Sequence, residues 1–285
     1  MLLLQHGTMV KRHPLLAFFL LMFAISWGIP GLLLLASWGN GGFSIEEYSP
    51  ISYLAVWSPA IAATIIITTT RGWLGLRQYL LRLLFWRVYW GWYAGILLGI
   101  PFLNFLAAAF TEATGKNALM VPTISASGLL VAALLRLTEG PLEELGWRGL
   151  ALPLLQRRCS GWQASIILGL IWGLWHVPAI FLGREVGGST QGNLVLVLLR
   201  LFLGFVATSI VMTVVYNATG GNLLLAFLFH WMTNFPYPWE TGVDISAMMD
   251  LLTVLAASLA VVWGRNYLGK ANLHVEVIPG IRDRW

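Results

Sequence analysis

The sequence predicts an all-α fold, a polytopic bundle of about eight transmembrane helices, and three observations carry that reading. Of its 285 residues, 58% are hydrophobic and only 10% are charged, with a mean hydropathy of +0.76. That is more apolar surface than a soluble core buries. The apolar residues fall in runs of about 17–25, the length that crosses a hydrocarbon layer about 30 Å thick. Arginines and lysines gather on alternate connections, as they do in chains whose cytoplasmic loops are basic.

The predicted spans, in order, cover about 15–37, 51–69, 90–110, 122–138, 162–182, 194–216, 222–238 and 246–264. The first follows Lys11 and Arg12 and reads as a retained helix rather than a cleaved leader. It is about as long as a full span and lacks a small-residue cleavage site before Glu46–Glu47. Between spans two and three lie Arg71, Arg77, Arg82 and Arg87. The fourth span is short, and the Leu/Arg/Gln mixture from Arg148 to Arg158 reads as an amphipathic helix along the interface. Asn217-Ala-Thr-Gly-Gly between spans six and seven reads as a tight turn. Arg265, Lys270, Arg282 and Arg284 follow span eight. Strict alternation puts nearly all of these cations on one side, so both termini are expected in the cytoplasm and the span number should be even.

The chain divides, as one integral membrane domain, into helices 1–3 (1–121), a four-helix core (122–238), and the last helix with its tail (239–285). The formal charge of +5 fits basic cytoplasmic loops rather than a nucleic-acid partner. The 15 tryptophans fit interfacial anchoring. Cys159 is the single cysteine, so an internal disulfide is excluded. The expected location is a prokaryotic plasma membrane.

Ionisable groups at membrane depth are costly, by about 2.5–3.5 kcal/mol on insertion scales, and point to function. Three places carry them. In Glu139-Gly-Pro-Leu-Glu-Glu-Leu-Gly-Trp-Arg148, the Gly140–Pro141 pair should break one helix and start another. Glu144 and Arg148 are four apart and share a face, which suits an ion pair. Glu143 is turned about 100° away and is free for chemistry. Glu139 reads as interfacial. In Leu170-Ile-Trp-Gly-Leu-Trp-His176-Val-Pro178, Trp172 lies one turn before His176, and Pro178 frees a carbonyl nearby. In His230-Trp-Met-Thr-Asn234, the histidine and the amide project from one helix face. Each place taken singly also fits a bland role: a solvated helix end, a core histidine, an interhelical hydrogen bond. Together they supply a carboxylate and histidine able to deprotonate water, and donors able to stabilise an oxyanion. That inventory suits hydrolysis of an acyl compound. Arg200, about six residues into span six, reads as snorkelling to the outer interface.

In order and spacing these motifs resemble the CAAX-protease and bacteriocin-processing (CPBP, or Abi) intramembrane proteases, over about residues 125–238. Trp172 stands where that family more often has phenylalanine. The resemblance implies an intramembrane endopeptidase acting on a membrane-associated protein or peptide. Glu143 would be the base, His176 would bind and activate water, and His230 with Asn234 would form the oxyanion hole. Glu144, Arg148 and Trp172 would support them. The resemblance favours a mechanism without a catalytic metal. The zinc alternative takes Glu143, His176 and His230 as ligands, with a fourth position open for water. A transporter and a non-enzymatic scaffold are the readings from other classes. The site cavity is expected to open to the cytoplasm.

Overall fold

The computed structural model describes residues 9–36, 50–116, 119, 125–181, 194–237, 239, 245–269 and 277. Among them the chain is helical throughout, with no β-strand. The helices are α1 (Met9–Arg12), α2 (Pro14–Ser26), α3 (Gly28–Ala36), α4 (Pro50–Val56), α5 (Ser58–Leu81), α6 (Trp90–Ala113), α7 (Ala126–Leu137) and α8 (Gly140–Gly146). After α8 come a π turn (Trp147–Ala151), α9 (Leu152–Gln156), α10 (Gly161–Phe181), α11 (Leu194–Ala218), α12 (Leu223–Thr233), α13 (Ser246–Trp263) and α14 (Arg265–Leu268). Glu46, Glu47, Lys270, Arg282 and Arg284 lie outside the described residues.

Proline sets several boundaries. Pro59 and Pro141 each sit in a first turn, where a missing N–H costs nothing. Within α5, Gly72 adopts φ 68° and ψ −171°, and this bends the helix at a point only glycine takes readily. By length and composition, α6 and α11 are long and apolar enough to cross a membrane, and α2, α12 and most of α13 are shorter apolar helices. Neighbouring helices run α10–α11–α13–α6–α12–α8–α5–α2. The main core lies between α2, α5, α8, the π turn and α10, around Phe18, Met22, Ile66, Ile67, Trp147 and Leu168.

Hydrogen bonds define two ends of this bundle. At one, the buried Arg82 donates through Nη1 to Gly149 O and Val277 O, both 2.9 Å away, and through Nη2 to Tyr216 Oη and Gly221 O. Asn222 Nδ2 reaches Phe85 O (2.6 Å) and Asn217 Nδ2 reaches Tyr267 O (2.7 Å). The α11–α12 connection is the tight turn expected, with Gly220 and Gly221 at φ 66° and 83°. At the other end, Trp57 Nε1 donates to Thr138 O, Trp175 Nε1 to Ser58 Oγ (3.1 Å), and Trp27 Nε1 to Trp175 O (3.4 Å).

These ties correct three expectations. The segment that descends from the Trp57 end to the Arg82 end is Gly140–Gln156, not 122–138; α7 stops before it and buries only Ala133. Residues Trp147–Leu155 do not lie along an interface, because all of them are buried. The bundle is so close-packed here that Gly146 lies directly on the Pro59 backbone, leaving no room for a Cβ. Arg200 does not simply snorkel: its Nε and Nη2 both bind Asp250 Oδ2 at 2.9 Å, joining α11 to α13.

Candidate active site

Helix α8 starts at Gly140 and presents Glu143 and Glu144 within its first turns, as the Gly–Pro break predicts. Both are buried. Their side chains part as the 100° rotation requires. Glu143 Oε2 accepts two indole N–H groups, from Trp147 one turn on (3.0 Å) and from Trp172 on α10 (3.1 Å). Glu144 takes Arg148 Nη1 on both oxygens (3.0 and 3.1 Å). It also takes His230 Nδ1 on Oε1 at 2.8 Å. Arg148 is fully buried, and its guanidinium carbon lies 4.7 Å from the Trp172 ring centroid. Its Nε and Nη2 find no hydrogen-bond acceptor among the described residues. The indole face therefore supplies the attraction that acceptors do not.

His176 Nδ1 lies 2.9 Å from Trp172 O. A carbonyl only accepts, so Nδ1 carries the proton and the neutral ring keeps its lone pair on Nε2. The acceptor is the carbonyl one turn back, not the one freed by Pro178. Phe205 stacks on the imidazole at 4.2 Å and Trp175 meets it edge-on at 4.6 Å. His230 is fixed in the same way by a carboxylate, which leaves its Nε2 for the cavity. Asn234 closes α12 as its C-cap. A Cβ on Gly140 would run into both His230 Nε2 and Asn234 Nδ2. Those two polar atoms therefore sit side by side over the start of α8.

Glu143, His176, His230 and Asn234 line one cavity of about 420 Å³, with Gly140, Trp172 and Thr208 among the other walls. That volume falls within the range of small-molecule and peptide sites. Arg136 and Glu139 stand at its rim as an ion pair (2.7 Å). Glu139 is thus a cavity residue and not merely interfacial. Of the seven residues given roles from sequence, five line this cavity, and Glu144 and Arg148 stand behind His230 and Trp172. The zinc alternative asks Glu143, His176 and His230 to converge as ligands. Among the described residues no three His, Cys, Asp or Glu side chains gather closely enough to hold a metal ion.

Two things escaped the sequence reading. One is Trp147, whose indole holds the carboxylate; its spacing of four from Glu143 was a usable signal. The other is Gly140, read only as a helix breaker, which is also the space beneath the His230–Asn234 pair.

Residues 125–236 match the family described as type II CAAX prenyl endopeptidase Rce1-like. The matched stretch starts at α7 and ends just past Asn234, so it holds every cavity residue named above; of the full lining, Val56 on α4 lies outside it. A curated relative, CAAX prenyl protease 2 of Methanococcus maripaludis, is 33% identical over 140 residues. The match covers 49% of this chain and 48% of the relative, so the chain spans about half the length of the relative it matches.

Proposed function

We propose that this protein is an intramembrane endopeptidase that hydrolyses a peptide bond of a membrane-associated protein or peptide, with Glu143 as the general base and no catalytic metal. The observation that carries the reading is the Glu143 carboxylate: buried, held on Oε2 by two indole N–H groups, and facing a cavity where two imidazoles and an amide converge. Tying one oxygen leaves Oε1 for a water. His176 Nε2, with its lone pair fixed by the Nδ1–Trp172 bond, accepts the second hydrogen of that water and aims it.

The steps balance within these residues. Glu143 takes a proton from the water as its oxygen adds to the scissile carbonyl carbon. The carbonyl oxygen becomes an oxyanion, which receives hydrogen bonds from Asn234 Nδ2 and His230 Nε2. His230 Nδ1 already faces a carboxylate, so only its imidazolium form donates from Nε2. Glu144 supports that charged form, and Arg148 supports Glu144. Glu143 then passes its proton to the leaving amine as the C–N bond breaks.

The names of the matched family and of the relative, an endopeptidase and a protease, support the reaction class. An eight-span bundle in a prokaryotic plasma membrane is the accompanying proposal, supported by the apolar helices and the distribution of arginine. The test is cleavage of a library of membrane-anchored peptides by purified protein in nanodiscs. Wild type runs beside Glu143→Gln, each with and without a strong chelator. The expected result is cleavage that resists chelation and is lost in Glu143→Gln. Cleavage lost on chelation and restored by zinc would make Glu143 and the histidines metal ligands instead.

A further inference from the structure

Asn234, the proposed oxyanion donor, does not sit inside a helix. α12 ends at Thr233, and Asn234 is its C-cap, with φ −102° and ψ 5°. The direction of the Asn234 amide therefore depends on where the chain goes next. Backbone N–H groups make only long bonds at this point: Asn234 N reaches His230 O and Trp231 O at 3.2 Å each, and Phe235 N reaches Met232 O at 3.4 Å. The last carbonyls of a helix need partners from outside it. One such partner is a side chain further on, because Tyr237 Oη donates to Met232 O at 2.7 Å.

The chain beyond Asn234 is held as well. Phe235 packs against Ile96, Ile100 and Met232, between α6 and α12. Tyr237 is buried, and its ring stacks on Trp239 with centroids 4.9 Å apart and planes at 21°. Trp239 Nε1 donates to Asn104 Oδ1 at 2.8 Å, and Phe105 meets the Trp239 ring edge-on at 5.8 Å. Asn104 is buried in α6, an apolar helix long enough to cross a membrane. An amide in such a place costs free energy unless it is hydrogen-bonded, and the bond to Trp239 meets that need. Asn234 thus lies between two anchors, the helix behind it and the α6 amide ahead.

We propose that Asn104, Tyr237 and Trp239 form a brace that positions Asn234 over the cavity, so that α6 sets the aim of the oxyanion donor. The three are positioning residues, and none of them lines the cavity. All three lie outside residues 125–236, so the brace belongs to a part of this chain beyond the stretch that matches the family. The role given to Asn234 rests on the endopeptidase reading, and the brace rests on the hydrogen bonds alone. A catalytic group displaced by about 1 Å loses about 10²-fold in rate. A loosened end of α12 would have an effect of that size.

Turnover and hydrogen exchange of the purified protein in nanodiscs test the brace, in wild type, Asn104→Leu, Trp239→Phe, Tyr237→Phe and Asn104→Asp. Each of the first three variants removes one donor or acceptor and keeps an apolar side chain in its place. In each, kcat should fall by about 10–10²-fold while KM hardly moves, because an oxyanion donor acts on the transition state. Asn104→Asp keeps an oxygen for the indole N–H and should recover most of the loss. Added to Asn234→Ala, the brace substitutions should cost little more, because the group they aim is already gone. Peptides covering Thr233–Phe235 should exchange faster in Asn104→Leu and Trp239→Phe than in wild type, and those covering the first turn of α12 should not change. Wild-type kcat in Asn104→Leu and Trp239→Phe, losses that multiply with that of Asn234→Ala, or unchanged exchange at the end of α12 would each overturn the proposal. If wild type cleaves no peptide, the endopeptidase reading falls, and the exchange measurement still decides the brace.

Discussion

Replacing Glu144 by glutamine tests the charge ladder that runs from Arg148 through Glu144 to His230. Arg148 and Glu144 both have fully buried side chains, 3.0 Å apart. Removing one member of a buried pair strands the other, at about 3–5 kcal/mol. That is about two to three and a half powers of ten in the folding equilibrium. The geometry points to the upper part of the range, because Arg148 Nε and Nη2 already lack acceptors and Nη1 would keep only an amide oxygen. The assay is thermal and denaturant unfolding of purified protein in one detergent, for wild type, Glu144→Gln, Arg148→Met and the double variant Glu144→Gln/Arg148→Met. Both single variants should lose most of that stability. The double variant should regain much of it, since no charge is then left alone. Turnover should not return with stability, because His230 Nδ1 still lacks its carboxylate. A double variant no more stable than Glu144→Gln would refute the pairing argument. A double variant with wild-type turnover would refute the role given to Glu144 in holding His230.

Three further predictions follow from close contacts. Gly140→Ala places a methyl against His230 Nε2 and Asn234 Nδ2; kcat should fall by about 10²–10³, the scale of losing an oxyanion donor, for about 1–3 kcal/mol of stability, measured by turnover beside unfolding. Trp147→Phe and Trp172→Phe each remove one N–H from Glu143 Oε2 and keep an aromatic ring. Each charge-assisted bond is worth about 1.5–3 kcal/mol, yet either indole alone still holds the oxygen. The double variant should therefore lose more kcat than the product of the single losses, and a cycle that multiplies out would count against shared holding. Arg82→Met leaves Gly149 O, Val277 O and Gly221 O without their side-chain donor. At about 1–3 kcal/mol for each buried group left unsatisfied, unfolding in detergent should show a loss of at least about 3 kcal/mol, with partial recovery in Arg82→Lys.

The helical class, the apolar helices and the helix faces shared by the candidate site residues were legible in the sequence, because each rests on local quantities. Hydropathy and run length report helices of membrane length. A spacing of four puts Glu144 with Arg148, Trp172 with His176 and His230 with Asn234 on common faces. The Gly140–Pro141 break is likewise a property of two neighbouring residues. What the sequence could not decide were relations between elements distant along the chain. Arg82 counts as one more loop cation until folding places four acceptors from the π turn, the α11–α12 hairpin and Val277 around it. One of them, Gly149 O, faces Pro153, which has no N–H to offer it. Trp172 was legible as an aromatic one turn before His176, and only the tertiary structure turned its N–H onto Glu143. Hydropathy placed the fourth crossing at 122–138, since Glu143, Glu144 and Arg148 lower the score of the segment that does descend. Those groups are tolerated there because the tertiary structure pairs Glu144 with Arg148 and His230 and gives Glu143 two indole N–H donors, which no one-dimensional average registers.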